Sequence, residues 1–169
     1  MITYKQYIKP LDIIVVYNKK SWLHRLIFRV TDYKAGHVAI YLGGELIVEA
    51  NSKGVHYKTW KNYNDDCRVW LVRYLGMSGK KDLAIRKYCF EAQNTKYSFL
   101  QLVALFLKYT FKLSHVPDVS KKAMVCSEFV AAAFKSAGIS LVNLEPHETT
   151  PEMILNSDNV TLVPGWNYL

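Results

Sequence analysis

The stretch GHVAIYLGGELIVEA, residues 36–50, decides the fold because it predicts a β-hairpin that carries a histidine on its first strand. Apolar residues alternate along both halves, and two glycines separate the halves. Matching the apolar faces pairs Val38 with Val48, and this register places His37 directly opposite Glu49 on the other face. We therefore expect a connection longer than a two-residue turn and a His37–Glu49 pair across the strands.

A cysteine lies far downstream, in the stretch MVCSEFVAAAFKSAG at residues 124–138. Cys126 would lie in the first turn of this helix, where free N–H groups and the helix dipole favour a thiolate. A thiolate is a strong nucleophile, and a nearby imidazole promotes its formation. Packing is the alternative role, because a buried free cysteine is usually inert. Helical spacing places the cysteine on one face with five apolar residues, Phe129, Val130, Ala133, Phe134 and Ala137.

The composition is that of a folded chain. Half of the 169 residues are hydrophobic and 14% are aromatic, and we see no repeat or linker, so we predict a single domain over residues 1–169. The three cysteines, Cys67, Cys89 and Cys126, show no CxxC spacing. This argues against a disulfide framework and a structural zinc site, and no metal or organic cofactor is implied.

The net charge of +8 is unevenly distributed. Residues 139–169 contain no Lys or Arg, so residues 1–138 hold all 22 basic residues against ten acids, a local net charge of +12. Such a surface would attract an anionic polymer or a membrane surface, or would serve solubility alone. The basic residues occur singly or in pairs, so no nucleic-acid partner is expected. The first residues lack an apolar signal core, which favours the cytoplasm.

The remaining pattern predicts an α+β fold, with most strands in the first half and helices concentrated in the second. The helix at residues 99–111 is very apolar, but its longest uninterrupted apolar run is far shorter than the roughly 20 residues that span a bilayer. We expect it to be buried in the core, with contact to a membrane surface as the alternative. Further strands are predicted at 12–17, 54–58, 68–74 and 160–163, and further helices at 21–31, 79–93 and 123–137.

These motifs resemble the circularly permuted papain-like NlpC group, which includes YaeF/YiiX-type bacterial amidases and relatives of lecithin:retinol acyltransferase. The order is the permuted one: His37 on GHVAIYLG, then an acid twelve residues later, then CSEFV beginning at Cys126. The segments PLDII (10–14), TKYS (95–98) and TTPE (149–152) resemble further parts of the family pattern. The resemblance implies a permuted papain-like (NlpC-type) α+β fold, with an antiparallel sheet or partial barrel packed against helices.

The resemblance also implies roles for four residues. Cys126 would be the nucleophile, His37 the general base and later acid, and Glu49 the group that orients the imidazole. Tyr97 would donate to the oxyanion beside the backbone N–H of Cys126. Glu49 stands where the acyltransferase branch carries His, and that branch's Asn-Cys-Glu-His pattern is missing, so the amidase-like branch fits better.

The implied activity is that of a cysteine hydrolase of the amidase or peptidase type, acting through a thioester acyl-enzyme. Its substrates would be peptide-like, including cell-wall peptides, or small lipid-like acylated molecules. Two alternatives remain open: an acyltransferase of lipids, and a catalytically inactive binding module on the same fold. The oligomeric state is left open by the sequence.

Overall fold

The computed structural model describes residues 7–18, 20, 34–60, 67–115, 117–119 and 122–164. The helix predicted at 21–31 lies outside these residues. The described strands are β1 (Ile13–Asn18), β2 (His37–Gly43), β3 (Leu46–Asn51), β4 (Gly54–Thr59), β5 (Cys67–Arg73), β6 (Lys96–Tyr97), β7 (Ala123–Met124) and β8 (Thr161–Leu162). The described helices are α1 (Gly79–Glu91), α2 (Phe99–Phe111), α3 (Cys126–Lys135) and α4 (Pro151–Leu155), with a 3-10 turn at Pro146–Glu148.

The centre of the fold is a six-stranded antiparallel sheet in the order β4-β3-β2-β1-β5-β8. Helix α3 packs against β2 and β3, which are the strands of the predicted hairpin. The chain is therefore an α+β protein in which an antiparallel sheet packs against helices. The sequence did not predict the short parallel pairing of β6 with β7, because two-residue strands carry no periodic signal.

The sheet is buried on both faces, which explains the uninterrupted run of β-branched residues in β1. Ile13 and Val15 belong to the larger core cluster with the α3 side chains Phe129 and Phe134. The alternate residues of β1 belong to a second, smaller cluster on the opposite face. Burial of each large aliphatic or aromatic side chain contributes roughly 2 kcal/mol, so both faces hold the hairpin strands in place.

The predicted register of the hairpin is wrong by two residues. Ile40 pairs with Val48 and Gly43 with Leu46, with a β-bulge between residues 41 and 43. The turn residues Gly44 and Glu45 both have positive φ, at 58° and 68°, as a tight two-residue hairpin turn requires. The bulge absorbs one residue of β2, so the apolar faces still match and the connection is short rather than long.

Helix α2 differs most from its prediction. Only Leu105 among its apolar side chains is buried, together with the polar residues Gln101 and Lys108. The expectation of core burial is therefore wrong, because this helix packs on the protein through Gln101, Leu105 and Lys108 and leaves its other apolar side chains at least partly exposed. Among the residues that the structure describes, no helix is long and apolar enough to cross a membrane.

Candidate active site

His37 and Glu49 meet on one face of the hairpin. The imidazole Nε2 lies 2.9 Å from Glu49 Oε2. In the observed register the two residues are diagonal rather than directly opposite neighbours, and side chains of this length still reach each other across such a diagonal. The predicted contact is therefore present, although the register that suggested it is not.

Glu49 is an almost fully buried carboxylate with several donors around it. Its Oε1 accepts a hydrogen bond from Asn51 Nδ2 at 2.8 Å and pairs with Lys58 Nζ at 2.8 Å. His56 Nε2 lies further away, at 3.9 Å from the same oxygen. Burial alone would raise the pKa of Glu49, but hydrogen bonds and charges from His37 and Lys58 outweigh it and lower this pKa well below its usual range. Glu49 is thus ionised at neutral pH.

Cys126 is the first residue of α3 and is 6% exposed. The preceding N-cap residue is Val125, whose side chain offers no acceptor to the first-turn amides. Glu128 Oε2 instead accepts a hydrogen bond from the Val125 backbone N–H, at 3.3 Å. The N–H groups at the start of α3 therefore point toward the sulfur region without a capping side chain, and both they and the helix dipole favour negative charge there.

The thiol and the imidazole interact directly. Burial lowers the pKa of His37, but the charge interaction and the hydrogen bond with Cys126, together with the neighbouring Glu49, outweigh it and raise the pKa to about 10. Because Nε2 is occupied by Glu49, Nδ1 is the nitrogen left to face the sulfur. This arrangement keeps the imidazole protonated at neutral pH and holds it beside the sulfur.

Tyr97 approaches the same sulfur from β6. It pairs with Met124 of β7, two residues before the cysteine, and the segment before it bonds to β4 through Val55 N and Thr95 O at 2.9 Å. Gly54, with φ of 89°, permits this approach, because a Cβ there would lie 2.4 Å from Thr95 O. Burial and the negative charge at Cys126 raise the pKa of Tyr97, so its phenol keeps the proton it would donate.

The segment at residues 149–152 forms hydrogen bonds both to the cysteine helix and to the chain just before the histidine strand. Ser127, next to the cysteine, donates its hydroxyl to Thr149 O at 2.6 Å. Glu152 Oε2 accepts from the backbone N–H of Ala35 at 2.8 Å, two residues before His37. The cysteine helix and the histidine strand are thereby both bonded to one short segment of chain.

The structure thus brings together all four residues singled out from the sequence: Cys126, His37, Glu49 and Tyr97. Sequence reasoning missed Asn51 and Lys58, although both lie near Glu49 on the β3–β4 hairpin and the alternation of β4 could have placed Lys58 on the Glu49 face. Cys67 packs against the smaller core cluster, and Cys89 is buried in the larger one. Within the described ranges, no group of three or more His, Cys, Asp or Glu residues could hold a metal ion.

A solved protein structure has a fold similar to that of this chain. The chain is similar to a solved structure described as the metalloprotein YiiX from Escherichia coli O157:H7, with a TM-score of 0.69 and 14% sequence identity. The match covers 93% of this chain and 97% of that one. No protein-family model and no curated protein matches the sequence. The chain therefore has a YiiX-like fold, and the likeness at this identity concerns the fold alone.

Lys58→Met is expected to lower the free energy of unfolding by about 1.5 kcal/mol at pH 7, since the buried Glu49 would lose a charged donor. Urea unfolding of the variant measures this loss. Lys53→Met, at an exposed lysine of the adjoining turn, is the matched control and should unfold like the wild type. Equal stabilities of the two variants would show that Lys58 does not support the carboxylate.

Proposed function

We propose that the protein is a cysteine hydrolase of the amidase or peptidase type, on a circularly permuted papain-like, NlpC-type fold. The observation that carries the proposal is the convergence of a helix N-terminal thiol, a histidine and a buried carboxylate from three separate elements. Nucleophilic thiol catalysis requires a thiolate beside a base that a third group orients. The YiiX-like fold adds support, since the sequence resemblance drawn from the motifs leads to the same group.

In this mechanism the Cys126 thiolate attacks the carbonyl carbon of an amide or ester, forming a C–S bond. The oxyanion accepts hydrogen bonds from the Cys126 backbone N–H and the Tyr97 hydroxyl. His37 then donates its proton to the leaving nitrogen or oxygen as the bond to carbon breaks, which leaves a thioester. His37, now neutral, takes a proton from water as that water attacks the thioester, and the acid and the thiolate are released. Glu49 keeps the imidazole oriented throughout.

The proposed substrate is peptide-like or a small acylated molecule. None of the steps above needs a metal, and the residue types around Cys126 supply the nucleophile, the acid–base group and the oxyanion donors by themselves. Transfer of the acyl group to a lipid acceptor is the second candidate, favoured by the apolar side chain of Phe99, whose ring centroid lies 5.0 Å from that of Tyr97. The two differ only in whether water or another acceptor attacks the thioester.

Short-chain p-nitrophenyl esters test the proposal. The wild type is expected to release a burst of p-nitrophenol, with an acyl adduct on Cys126 in the intact mass and peptide map. Cys126→Ala should lose the burst and the adduct, whereas Cys67→Ala, a change at a cysteine outside the site, should keep both. Turnover that persists in Cys126→Ala would refute the proposed nucleophile, whereas a wild type with neither turnover nor adduct would favour a binding module.

A further inference from the structure

Helix α2 buries polar side chains and exposes most of its apolar ones. Its buried side carries Leu105 between two polar residues: Gln101 Nε2 donates to His147 O at 3.0 Å, and Lys108 Nζ pairs with Glu148 Oε1 at 2.9 Å. Its outer side carries the apolar face, defined here by five side chains that are 42–70% exposed, Phe99, Leu100, Val103, Leu107 and Phe111. Soluble helices usually show the reverse pattern. Exposed apolar area of this kind marks a surface that meets a partner.

The charges around the apolar face are almost all positive. Helix α2 itself contains no Asp or Glu, and residues 94–124 contain one acid, Asp118, and five lysines, of which Lys108 is buried against Glu148. Lys96 lies just before the helix and Lys112 just after it, and both are exposed, as is Lys122 near β7. An apolar helix face bounded by lysines matches the chemistry of an anionic lipid surface, with acyl chains under the apolar residues and headgroup phosphates at the lysines.

The same charges disfavour a second copy of this chain as the occupant. Two such faces in a symmetric dimer would bring like-charged lysines together around the contact. A basic protein partner is disfavoured for the same reason. An anionic lipid surface satisfies both the apolar side chains and the lysines at the ends of the helix.

We propose that the apolar face of α2 docks in the plane of an anionic lipid bilayer, without spanning it. Phe99 lies at one end of this face and contacts Tyr97 edge to face. The docked orientation therefore brings that end of the candidate active site to the bilayer surface. Docking requires no chemistry at Cys126, so it can be tested independently of the proposed hydrolase activity.

Vesicle co-sedimentation tests the docking. The probes are vesicles of equal parts phosphatidylcholine and phosphatidylglycerol, and vesicles of phosphatidylcholine alone. The wild type should sediment with the anionic vesicles, less with the neutral ones, and less as salt screens the lysines. Leu100→Glu with Phe111→Glu should weaken binding to the anionic vesicles roughly tenfold or more, because both side chains would otherwise enter the interface.

The chain offers a matched control on another helix. Leu83 and Phe90 of α1 are 69% and 71% exposed, so Leu83→Glu with Phe90→Glu changes charge and apolarity equally and should bind like the wild type. Cys126→Ala should also bind normally, which separates docking from catalysis. The milder double variant Phe99→Ala with Phe111→Ala should also weaken binding. It replaces the glutamate variant if that variant does not fold. Equal loss in the α1 control, no sedimentation of the wild type, or a dimer that the α2 variant dissolves would each overturn the proposal.

Discussion

His37→Ala is expected to slow alkylation of Cys126 by iodoacetamide at slightly acidic pH by roughly tenfold or more, since an ordinary thiol is almost wholly protonated there. In the wild type, His37 keeps its proton until the pH approaches about 10, so a cation faces the sulfur through the neutral range. The wild-type rate should therefore change little across that range, whereas the variant's rate should rise with pH. Quenched time points read by peptide mass spectrometry give both rates.

The other two cysteines do not interfere with this measurement. Cys89 is fully buried, and its burial raises its pKa to about 12, so it should not react. Cys67 is partly exposed and is removed as Cys67→Ser in every variant. His56→Ala is the matched control, because His56 also lies near Glu49 but does not face the sulfur in the proposed mechanism. A His37→Ala rate equal to that of His56→Ala would contradict the account.

Glu49→Ala is expected to lower the free energy of unfolding by roughly 3–5 kcal/mol, the loss typical of removing one partner from a buried ionic cluster. Three donors, on His37, Asn51 and Lys58, would lose their acceptor together. Glu49→Gln retains the volume but removes the charge, so its stability should lie between those of Glu49→Ala and the wild type. Urea unfolding at neutral pH measures all three.

The pH dependence gives the Glu49 prediction a second readout. Because folding lowers the pKa of Glu49 from its ordinary 4.5, the contribution of the carboxylate is complete above pH 4.5 and is lost as the pH falls below it. Folding raises the pKa of His37, so its contribution is complete below pH 6.5 and declines as the pH rises toward about 10. The Glu49→Gln curve should therefore approach that of the wild type in acid. Glu91→Ala, at an exposed acid of α1, should leave stability unchanged; a comparable loss there would make the effect of Glu49 non-specific.

The hairpin shows how far sequence pattern reaches in this protein. Alternation fixed which residues of β2 and β3 face the same way, and it put His37 and Glu49 on one face. It did not fix the register, because a slip of two residues preserves every face. The positive φ values of Gly44 and Glu45, with the bulge before Gly43, decided between registers of the same parity.

Other differences between the structure and the sequence predictions also depend on tertiary contacts. The apolar composition of α2 indicated a helix but not its orientation, since Gln101 and Lys108 bond to partners that lie 46 and 40 residues away in sequence. Tyr97 was named only through resemblance, because the parallel β6–β7 bridge and the close approach at Gly54 depend on tertiary contacts. The helix predicted at 123–137 begins instead at Cys126, so the thiol lies in the first turn, as predicted, and at its first position.

The most direct test of the central claim is the protonation state of His37, followed by the nitrogen chemical shifts of its ring in isotope-labelled protein. At about pH 8, where an ordinary histidine is neutral, the account predicts that both ring nitrogens of His37 carry protons. In Cys126→Ala the same ring should lose its second proton at lower pH, because the thiolate that stabilises the cation is gone. A neutral His37 ring in the wild type at that pH, or identical titration in the two proteins, would contradict the thiolate–imidazolium pair.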